Sequence, residues 1–296
     1  MSSYETFELR ASGWNVVVAP PLGGSLLSCE HDGVPVLRPT RQKARSGIPS
    51  FECCHFPLIP FSNRIKNGSF VFRGTQIQLA RNIAGEPHAM HGHGWQAPWQ
   101  VVQRSDSGCA LAFRHAAARD WPWSYEGRQS LAIHDANELR ITLAIQNLDS
   151  AAMPCGLGFH PFLPATDGAR LKMVAGRVWN APADEFPSQE IAVPALLDFS
   201  NSPLVAERRG TNHCFGRWSG SASVSDGPSR RSLVLEGCER TQCVIVYIPA
   251  EADYFCVEPV THAVNAVNLP NAQDGGFWTL APNELREITM TLKVGP

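Results

Sequence analysis

Proline restricts the fold of this chain more than any other residue type does. The 296 residues include 23 Pro, about one in 13, together with 24 Gly. Pro removes a helix hydrogen bond and clashes with the preceding turn, so an α/β barrel or doubly wound fold, with its many helices, is disfavoured. Apolar residues make up 44% of the chain and charged residues 18%, which allows a large core and excludes a disordered chain. The composition therefore favours an all-β fold.

Apolar and polar residues alternate in short segments along the whole chain, as is typical of β-strands separated by turns. Residues 69–72 and 76–79 flank a Gly-containing turn and predict a hairpin. Further strands are predicted at 99–104, 109–114, 131–134, 139–145, 233–235, 243–248, 254–258 and 286–294. The best helix candidate, 203–209, is one or two turns long. The pattern predicts a sandwich or barrel that forms one domain over residues 1–296.

The charges and the cysteines exclude several classes of protein. A net charge of −2 gives no electrostatic footprint for nucleic acid or for an anionic membrane. The segment Met1–Arg10 lacks the layout of a signal peptide, and no apolar run approaches the ~18 residues of a membrane span. The nine Cys residues include no C-x-x-C pair, so neither a zinc site nor a disulfide framework is indicated. These features predict a cytoplasmic protein with reduced, mostly buried thiols.

The first segment that is unusual for plain structure is an Asn-Arg pair. Asn63 and Arg64 directly follow an apolar, Pro-containing run at residues 56–61. Arg64 would either extend along the surface or serve as a forked donor fixed near a ligand oxygen. A basic stretch further upstream is interpreted as a solvated loop and consists of Arg38, Arg41, Lys43 and Arg45.

The second segment contains three histidines, His88, His91 and His93, followed by Trp95. Their spacing could suggest a metal, but no Asp, Glu or Cys stands nearby, so no metal site is assigned. The composition fits better with one or two histidines that donate to a polyol while Trp95 stacks on a sugar face. A tight turn with surface histidines is the alternative.

The third and fourth segments are built around His160 and Glu258, each of which directly precedes Pro. In an extended strand, Gly156 and Gly158 share a face with His160, which would leave room for a ligand to approach closely. A hydrogen-bonded core histidine is the other interpretation. Glu258 ends an apolar strand, where a carboxylate is either paired with an Arg or held for chemistry, with burial raising its pKa.

Several reaction classes lack support in the sequence. There is no G-x-S-x-G nucleophile elbow, so serine-hydrolase chemistry is not indicated. A single obvious Glu partnered with a His, rather than two carboxylates, makes an ordinary glycosidase a poor match. Together the segments offer one carboxylate, one or two histidines, an Arg and several aromatic residues, with no metal set and no nucleotide-binding loop.

In this order, the motifs resemble those of the aldose 1-epimerase (galactose mutarotase) family over nearly the whole chain. The matching segments are Asn63-Arg64-Ile65, His91-Gly92, His160-Pro161-Phe162, Asn212-His213-Cys214-Phe215 and Glu258-Pro259-Val260-Thr261. The His160 segment is similar to a bacterial paralogue branch rather than to galactose-operon enzymes. The resemblance implies a large antiparallel β-sandwich, often called a supersandwich, with a sugar bound in an open cleft.

The resemblance also implies roles for individual residues. Glu258 matches the general base of the family, and His160 matches its general acid. The predicted substrate-binding residues are Asn63, Arg64, His91, Trp95 and Asn212. Asn212 stands where the better-known members carry an Asp that binds sugar hydroxyls. This change keeps a hydrogen-bonding group but removes a charge, and it bears on substrate preference more than on reaction type.

The chemistry of the residues agrees with these roles. Interconversion of α and β anomers takes a proton from the C1 hydroxyl and delivers one to the ring oxygen, which requires an acid and a base but no cofactor. Each group contributes about 10²–10⁴-fold to such a rate. With ordinary pKa values of about 4.3 for Glu and about 6.5 for His, the two would start in opposite protonation states. The sequence therefore predicts a mutarotase acting on a free aldose.

Two other functions stay open at this point. A related epimerase acts on a phosphorylated hexose and needs extra cations, which Arg38, Arg41, Lys43 and Arg45 could supply. A non-catalytic sugar-binding module could also have kept the cleft. Its sequence signature would be the loss of Glu258 or His160, and both residues are present.

Overall fold

The computed structural model describes residues 5–40, 52–180, 186–226 and 232–295. Within these ranges the chain forms 23 β-strands and five short 3-10 turns, and it contains no α-helix. The 3-10 turns are Lys66–Gly68, Gly94–Gln96, Ala195–Leu197, Val205–Arg208 and Ala266–Asn268. The all-β prediction is confirmed, and the predicted helix at 203–209 is a single 3-10 turn.

The strands follow one another at short intervals along the chain. In the first half they are Phe7–Ala11 (β1), Trp14–Ala19 (β2), Ser25–His31 (β3), Val34–Pro35 (β4), His55–Leu58 (β5), Arg64–Ile65 (β6), Ser69–Phe72 (β7), Thr75–Gln78 (β8), Ala89–Met90 (β9), Gln100–Arg104 (β10), Gly108–His115 (β11), Tyr125–Asp135 (β12) and Glu138–Asn147 (β13). In the second half they are Met153–Cys155 (β14), Gly158–Pro164 (β15), Ala169–Asn180 (β16), Gln189–Ile191 (β17), Thr211–Asp226 (β18), Ser232–Gly237 (β19), Cys243–Ile248 (β20), Tyr254–Val260 (β21), Trp278–Leu280 (β22) and Leu285–Gly295 (β23).

The predicted hairpins form where turn residues separate alternating segments. Strands β7 and β8 pair across Arg73-Gly74, both of which have positive φ, as a tight two-residue hairpin turn requires. Strands β10 and β11, and then β12 and β13, pair across the other predicted turns. Because sequential antiparallel pairing depends on local sequence, the alternation was sufficient to predict these elements.

All the strand pairings are antiparallel, and they form a large β-sandwich in which one strand belongs to both layers. The first six residues of β18 pair with β20, and residues 221–225 pair on the same edge with β19. From β20 the pairing continues to β21, β15 and β5. From β19 it continues through β23, β13 and β12 to β11. Left-handed backbone at Arg217 and Gly220 lies between the two halves of β18.

One hydrophobic cluster fills the interior and includes side chains from Phe7 in β1 to Leu292 in β23. All nine cysteines lie within the described residues as free thiols, and eight of them are buried. Burial in an apolar core raises the thiol pKa of several of them, for example that of Cys53 to about 12, and so keeps them unreactive. The prediction of reduced core cysteines is confirmed.

Two local predictions were wrong. The segment from Cys155 to Phe162 is not one strand, because β14 ends at Cys155 and β15 begins at Gly158. Arg38 is not part of a solvated loop. It is 4% exposed, its guanidinium carbon lies 4.7 Å from the centroids of the Phe162 and Tyr254 rings, and it donates a hydrogen bond to a backbone carbonyl. The other three residues of that basic stretch lie outside the described residues.

Within the described ranges, no helix has the length and apolar character needed to cross a membrane.

Candidate active site

Strand pairing brings His160 and Glu258 together. Strands β15 and β21 are antiparallel neighbours in which Gly158 pairs with Val260, and the same register sets His160 opposite Glu258. Opposite residues of an antiparallel pair share one face of the sheet. Nε2 of His160 accordingly lies 3.5 Å from Oε1 of Glu258, and the two side chains are 8% and 3% exposed. The two predicted catalytic residues thus form one buried pair.

Aromatic rings hold the imidazole of His160 in place. Phe56 of β5 is the cross-strand partner of His160, and its ring stacks on the imidazole with the centroids 4.5 Å apart. The ring of Phe162 lies 4.6 Å away, and His91 meets the imidazole edge-on at 5.4 Å. These contacts leave His160 few rotamers, as a group that transfers a proton in one direction requires.

The pair also presents polar atoms without protein partners. Among the described residues, neither Nδ1 of His160 nor Oε2 of Glu258 has a hydrogen bond, although both atoms are buried. Buried polar atoms in folded proteins are nearly always hydrogen-bonded, and exceptions concentrate at functional sites. The two orphaned atoms indicate a place where a polar ligand completes the hydrogen bonds.

Burial determines where the proton of the pair resides. Loss of solvation raises the pKa of Glu258 to about 8, with the positive charge of Arg64 opposing the shift. The same effect lowers the pKa of His160 to about 3. At neutral pH the empty site therefore holds one proton on Glu258, and both side chains are uncharged. Ordinary pKa values predicted an ionised Glu and a protonated His, but in this low-dielectric location burial disfavours both charges.

Asn63 and His91 are locked to each other by two hydrogen bonds. The Asn63 N–H donates to Nδ1 of His91 at 3.0 Å, and the His91 N–H donates to the Asn63 carbonyl oxygen at 2.8 Å. Both residues have left-handed backbone, with φ of 54° and 60°. Burial lowers the pKa of His91 well below its ordinary value, so the ring is neutral. Since Nδ1 is the acceptor, Nε2 carries the proton and is the donor available for recognition.

Arg64 is oriented by a carboxylate that the sequence motifs did not reveal. Nε and one terminal nitrogen of Arg64 each lie 3.3 Å from Oε2 of Glu86. The Arg64 side chain is 36% exposed, and that of Glu86 is 17% exposed. Glu86 stands in a Gly-Glu-Pro turn with no distinguishing pattern around it, so only the fold shows that it fixes the guanidinium.

A cavity of about 490 Å³ connects the predicted binding residues. Its lining includes Asn63, Arg64, Glu86, His88, Trp179 and Asn212. Asn212 is exposed on β18, where it pairs with Tyr247 of β20. The volume lies within the range of small-molecule sites. The structure therefore brings Asn63, Arg64 and Asn212, which are far apart in the sequence, to one polar cleft.

Trp95 lies elsewhere, and its predicted role as a sugar platform is corrected. The indole is 1% exposed, its N–H donates to the Gly92 carbonyl oxygen at 3.0 Å, and its ring packs 5.7 Å from Phe56. An indole enclosed in this way has no free face on which a sugar could stack. Trp95 instead supports the ring that contacts His160.

The glycines near His160 also serve packing rather than a pocket floor. A Cβ at Gly156 would lie 2.0 Å from Cδ2 of His262, and one at Gly158 would lie 2.7 Å from Cγ1 of Val260. The missing side chains thus admit protein groups. His262 is buried and accepts a hydrogen bond from the Ser62 N–H at 3.1 Å, which anchors the loop that leads into Asn63.

The fold and the site define a class: an antiparallel β-sandwich with one buried Glu–His pair next to a polar cleft. The chain belongs to the aldose 1-epimerase family, whose sequence model matches residues 5–293. The resemblance inferred from the motifs is thereby confirmed.

Individual relatives agree with this assignment. Protein YphB of Escherichia coli (strain K12), which is uncharacterized, is 31% identical over 284 residues, covering 92% of this chain and 93% of its own length. A crystal structure of an E. coli K12 protein provisionally assigned as an aldose 1-epimerase matches with a TM-score of 0.88 and 28% identity, covering 98% and 99% of the two chains. A galactose mutarotase-like protein from Clostridium acetobutylicum has a TM-score of 0.87 at 19% identity, with coverage of 99% and 95%, and shows the same fold.

Proposed function

We propose that the protein is a mutarotase that interconverts the α and β anomers of a free aldose. The observation that carries this proposal is the buried pair of Glu258 and His160, 3.5 Å apart, with one unsatisfied polar atom on each side chain. Membership of the aldose 1-epimerase family supports it. An acid and a base held together beside a polar cleft suit a reaction that consists of proton transfers.

The reaction needs two proton transfers in each direction. In ring opening, Glu258 takes the proton of the C1 hydroxyl, the bond between C1 and the ring oxygen breaks, and the ring oxygen takes both the bonding electrons and a proton from His160. The aldehyde end then rotates. In ring closure, Glu258 returns its proton to the C1 oxygen, and His160 takes the proton from the attacking hydroxyl, so no net proton is gained or lost.

The proton arrangement of the empty site matches the open-chain intermediate. After ring opening Glu258 is neutral and His160 is neutral, which is the state that burial favours. Ring opening itself starts from the charged arrangement, which the positive charge of Arg64 favours by lowering the Glu258 pKa. The buried site thus stabilises the intermediate state relative to the charged starting state, as differential binding requires.

Sugar hydroxyls would be bound by the cleft residues. Arg64 offers a forked donor that Glu86 holds in place, and His91 offers Nε2–H. Asn212 offers both a donor and an acceptor from the exposed end of β18. An amide accommodates hydroxyls in either orientation without a charge, so we propose that position 212 influences which aldose is preferred.

A phosphorylated hexose is the less favoured substrate. Of the four basic residues considered for phosphate binding, Arg38 is buried and engaged with two aromatic rings and a backbone carbonyl. The other three lie outside the described residues. A non-catalytic sugar-binding module would not require the acid–base pair, whose close approach favours catalysis. A cytoplasmic location remains our prediction.

Nuclear magnetic resonance tests the proposal directly. Saturation transfer between anomeric protons is measured for a panel of free aldoses and their 6-phosphates, with and without the protein. Exchange above the uncatalysed rate for at least one free sugar is expected. Faster exchange only for phosphorylated sugars would support the phosphate epimerase, and binding without exchange would support the binding module.

A further inference from the structure

A second cluster of potential ligating side chains lies outside the catalytic pair. His93, His115 and Asp120 offer donor atoms that all lie within 4.8 Å of one another. We propose that these residues form a binding site for a divalent transition-metal ion such as Zn²⁺. Two imidazoles and one carboxylate match the ligand types that this ion prefers, with open positions completed by water.

The fold gathers these residues from three separate segments. His93 directly precedes the 3-10 turn Gly94–Gln96. His115 ends strand β11, where it pairs with Tyr125 at the start of β12. Asp120 stands in the loop between these two strands. The sequence showed no carboxylate near the three histidines because the two partners of His93 follow it by 22 and 27 positions.

The donor atom on His93 is prepared for a ligand. Nδ1 of His93 is buried and has no hydrogen bond among the described residues. Nε2 is engaged with the hydroxyl of Tyr125 at 3.0 Å. A metal-binding histidine commonly uses its second nitrogen in such a bond, which fixes the tautomer and the ring orientation. Tyr125 therefore occupies the position of an outer-shell partner.

The carboxylate and the second imidazole converge on the same point. Oδ2 of Asp120 lies 3.7 Å from Nδ1 of His93, and Oδ1 lies 3.9 Å from Nε2 of His115. Two ligands bound tetrahedrally to one Zn²⁺ are about 3.4 Å apart, given bond lengths of about 2.0–2.1 Å. The observed separations thus need to contract by only a few tenths of an ångström.

Binding exchanges one existing hydrogen bond for a metal bond. Nε2 of His115 is now 2.8 Å from the carbonyl oxygen of Trp121, and this contact is what the ion replaces. The Asp120 side chain is 37% exposed, against 12% and 8% for the two histidines. The ion therefore has a route from solvent along the carboxylate to the two imidazoles.

The catalytic centre is a rival donor set that the test must distinguish. His160, Cys256 and Glu258 also bring their donor atoms within 4.8 Å of one another. All three are buried, and burial raises the thiol pKa of Cys256 well above its ordinary value, so a metal there must displace a proton from sulfur. The difference in ligand chemistry, with or without sulfur, allows a spectroscopic distinction.

Calorimetric titration of the chelator-treated full-length protein with Zn²⁺ is the first measurement. The wild type is expected to bind about one ion per chain. Asp120→Asn is expected to weaken binding about 10–100-fold, because the amide lacks the charge. This variant can keep the Trp121 N–H bond at 3.1 Å, so it should fold. His93→Gln should have a similar effect, whereas His134→Gln, which changes an exposed histidine on β12, should have none.

Cobalt substitution gives the second measurement. Co²⁺ in the proposed site is expected to show d–d absorption without thiolate-to-cobalt charge transfer, and Asp120→Asn should abolish this signal. A thiolate charge-transfer band would overturn the proposal in favour of the catalytic centre. The proposal would also be overturned if Asp120→Asn bound Zn²⁺ as tightly as the wild type, or if His134→Gln weakened binding to the same extent.

Discussion

Two carboxylates, Glu258 and Glu126, are both nearly inaccessible, with side chains 3% and 8% exposed, yet their environments differ. Glu126 of β12 accepts hydrogen bonds from Arg114 and Arg128, and these bonds lower its pKa. Glu258 faces His160, and burial raises its pKa to about 8. Low exposure alone therefore does not indicate catalysis. The neighbours decide whether a carboxylate is a fixed anion or a proton carrier.

The largest expected difference between the two is in catalysis. Glu258→Gln should lower the anomerisation rate by about 10²–10⁴-fold, because an amide can neither accept nor return the proton. Glu126→Gln should stay within about twofold of the wild type. Anomer exchange by nuclear magnetic resonance measures both. Unchanged activity and sugar affinity in Glu258→Gln would eliminate it as the base.

The pH dependence of kcat/KM should distinguish the buried pair from an ordinary Glu–His pair. The pair holds its single proton between the His160 pKa of about 3 and the Glu258 pKa of about 8. Activity above background should therefore be flat near neutrality and fall about tenfold per pH unit above about 8. Glu126→Gln should show the same profile. A decline beginning near pH 6.5 would instead indicate an unshifted histidine.

Stability should respond in opposite directions to the two Glu→Gln changes. The folded state keeps a proton on Glu258 that the unfolded chain releases above about pH 4.5, so stability is lost as pH rises from there to about 8. Glu258→Gln removes this loss and should raise the free energy of unfolding at pH 8, relative to wild type, by about 1–3 kcal/mol more than at pH 4.5.

Glu126 has a lowered pKa, so its contribution is present above its unfolded pKa and is lost as the pH falls. Glu126→Gln should cost up to about 1 kcal/mol near neutrality, because its Arg partners are largely exposed. Denaturant unfolding at several pH values measures both variants. Equal pH responses would contradict the contrast between the two carboxylates.

Glu86 is the intermediate case and should give the smallest change. It holds Arg64 at 3.3 Å but has no role in proton transfer. Glu86→Gln should raise KM by a few-fold while kcat changes by less than twofold, since the guanidinium keeps its charge but loses its orientation. Glu236→Gln, which removes the ion pair with Lys293 on the surface, is the matched control. A fall in kcat alone would contradict this positioning role.

The sequence predicted local elements well because hairpin pairing depends on neighbouring residues. The alternation at 69–79 and 99–114 corresponds to observed hairpins. The close approach of His160 and Glu258 was different, since it depends on the register of two strands distant in sequence. Only the resemblance to a family suggested that they act together.

The remaining differences also follow from tertiary structure. Trp95 has the composition of a sugar-stacking residue, but core packing encloses its ring. Glu86 and Phe56 have no motif of their own, so their contacts with Arg64 and His160 appear only in the folded chain. Ordinary pKa values misplaced the proton of the pair because the extent of burial was unknown.

The exposed end of β18 has a consequence for how such a chain diversifies. Asn212 is exposed at one side of the cleft, whereas Glu258 is enclosed among neighbouring strands. Exchanges at exposed positions usually change stability by less than about 0.5 kcal/mol. Mutational drift at position 212 can therefore retune sugar choice without endangering folding, while the reaction itself is protected in the interior. Selection can act on preference and on chemistry separately.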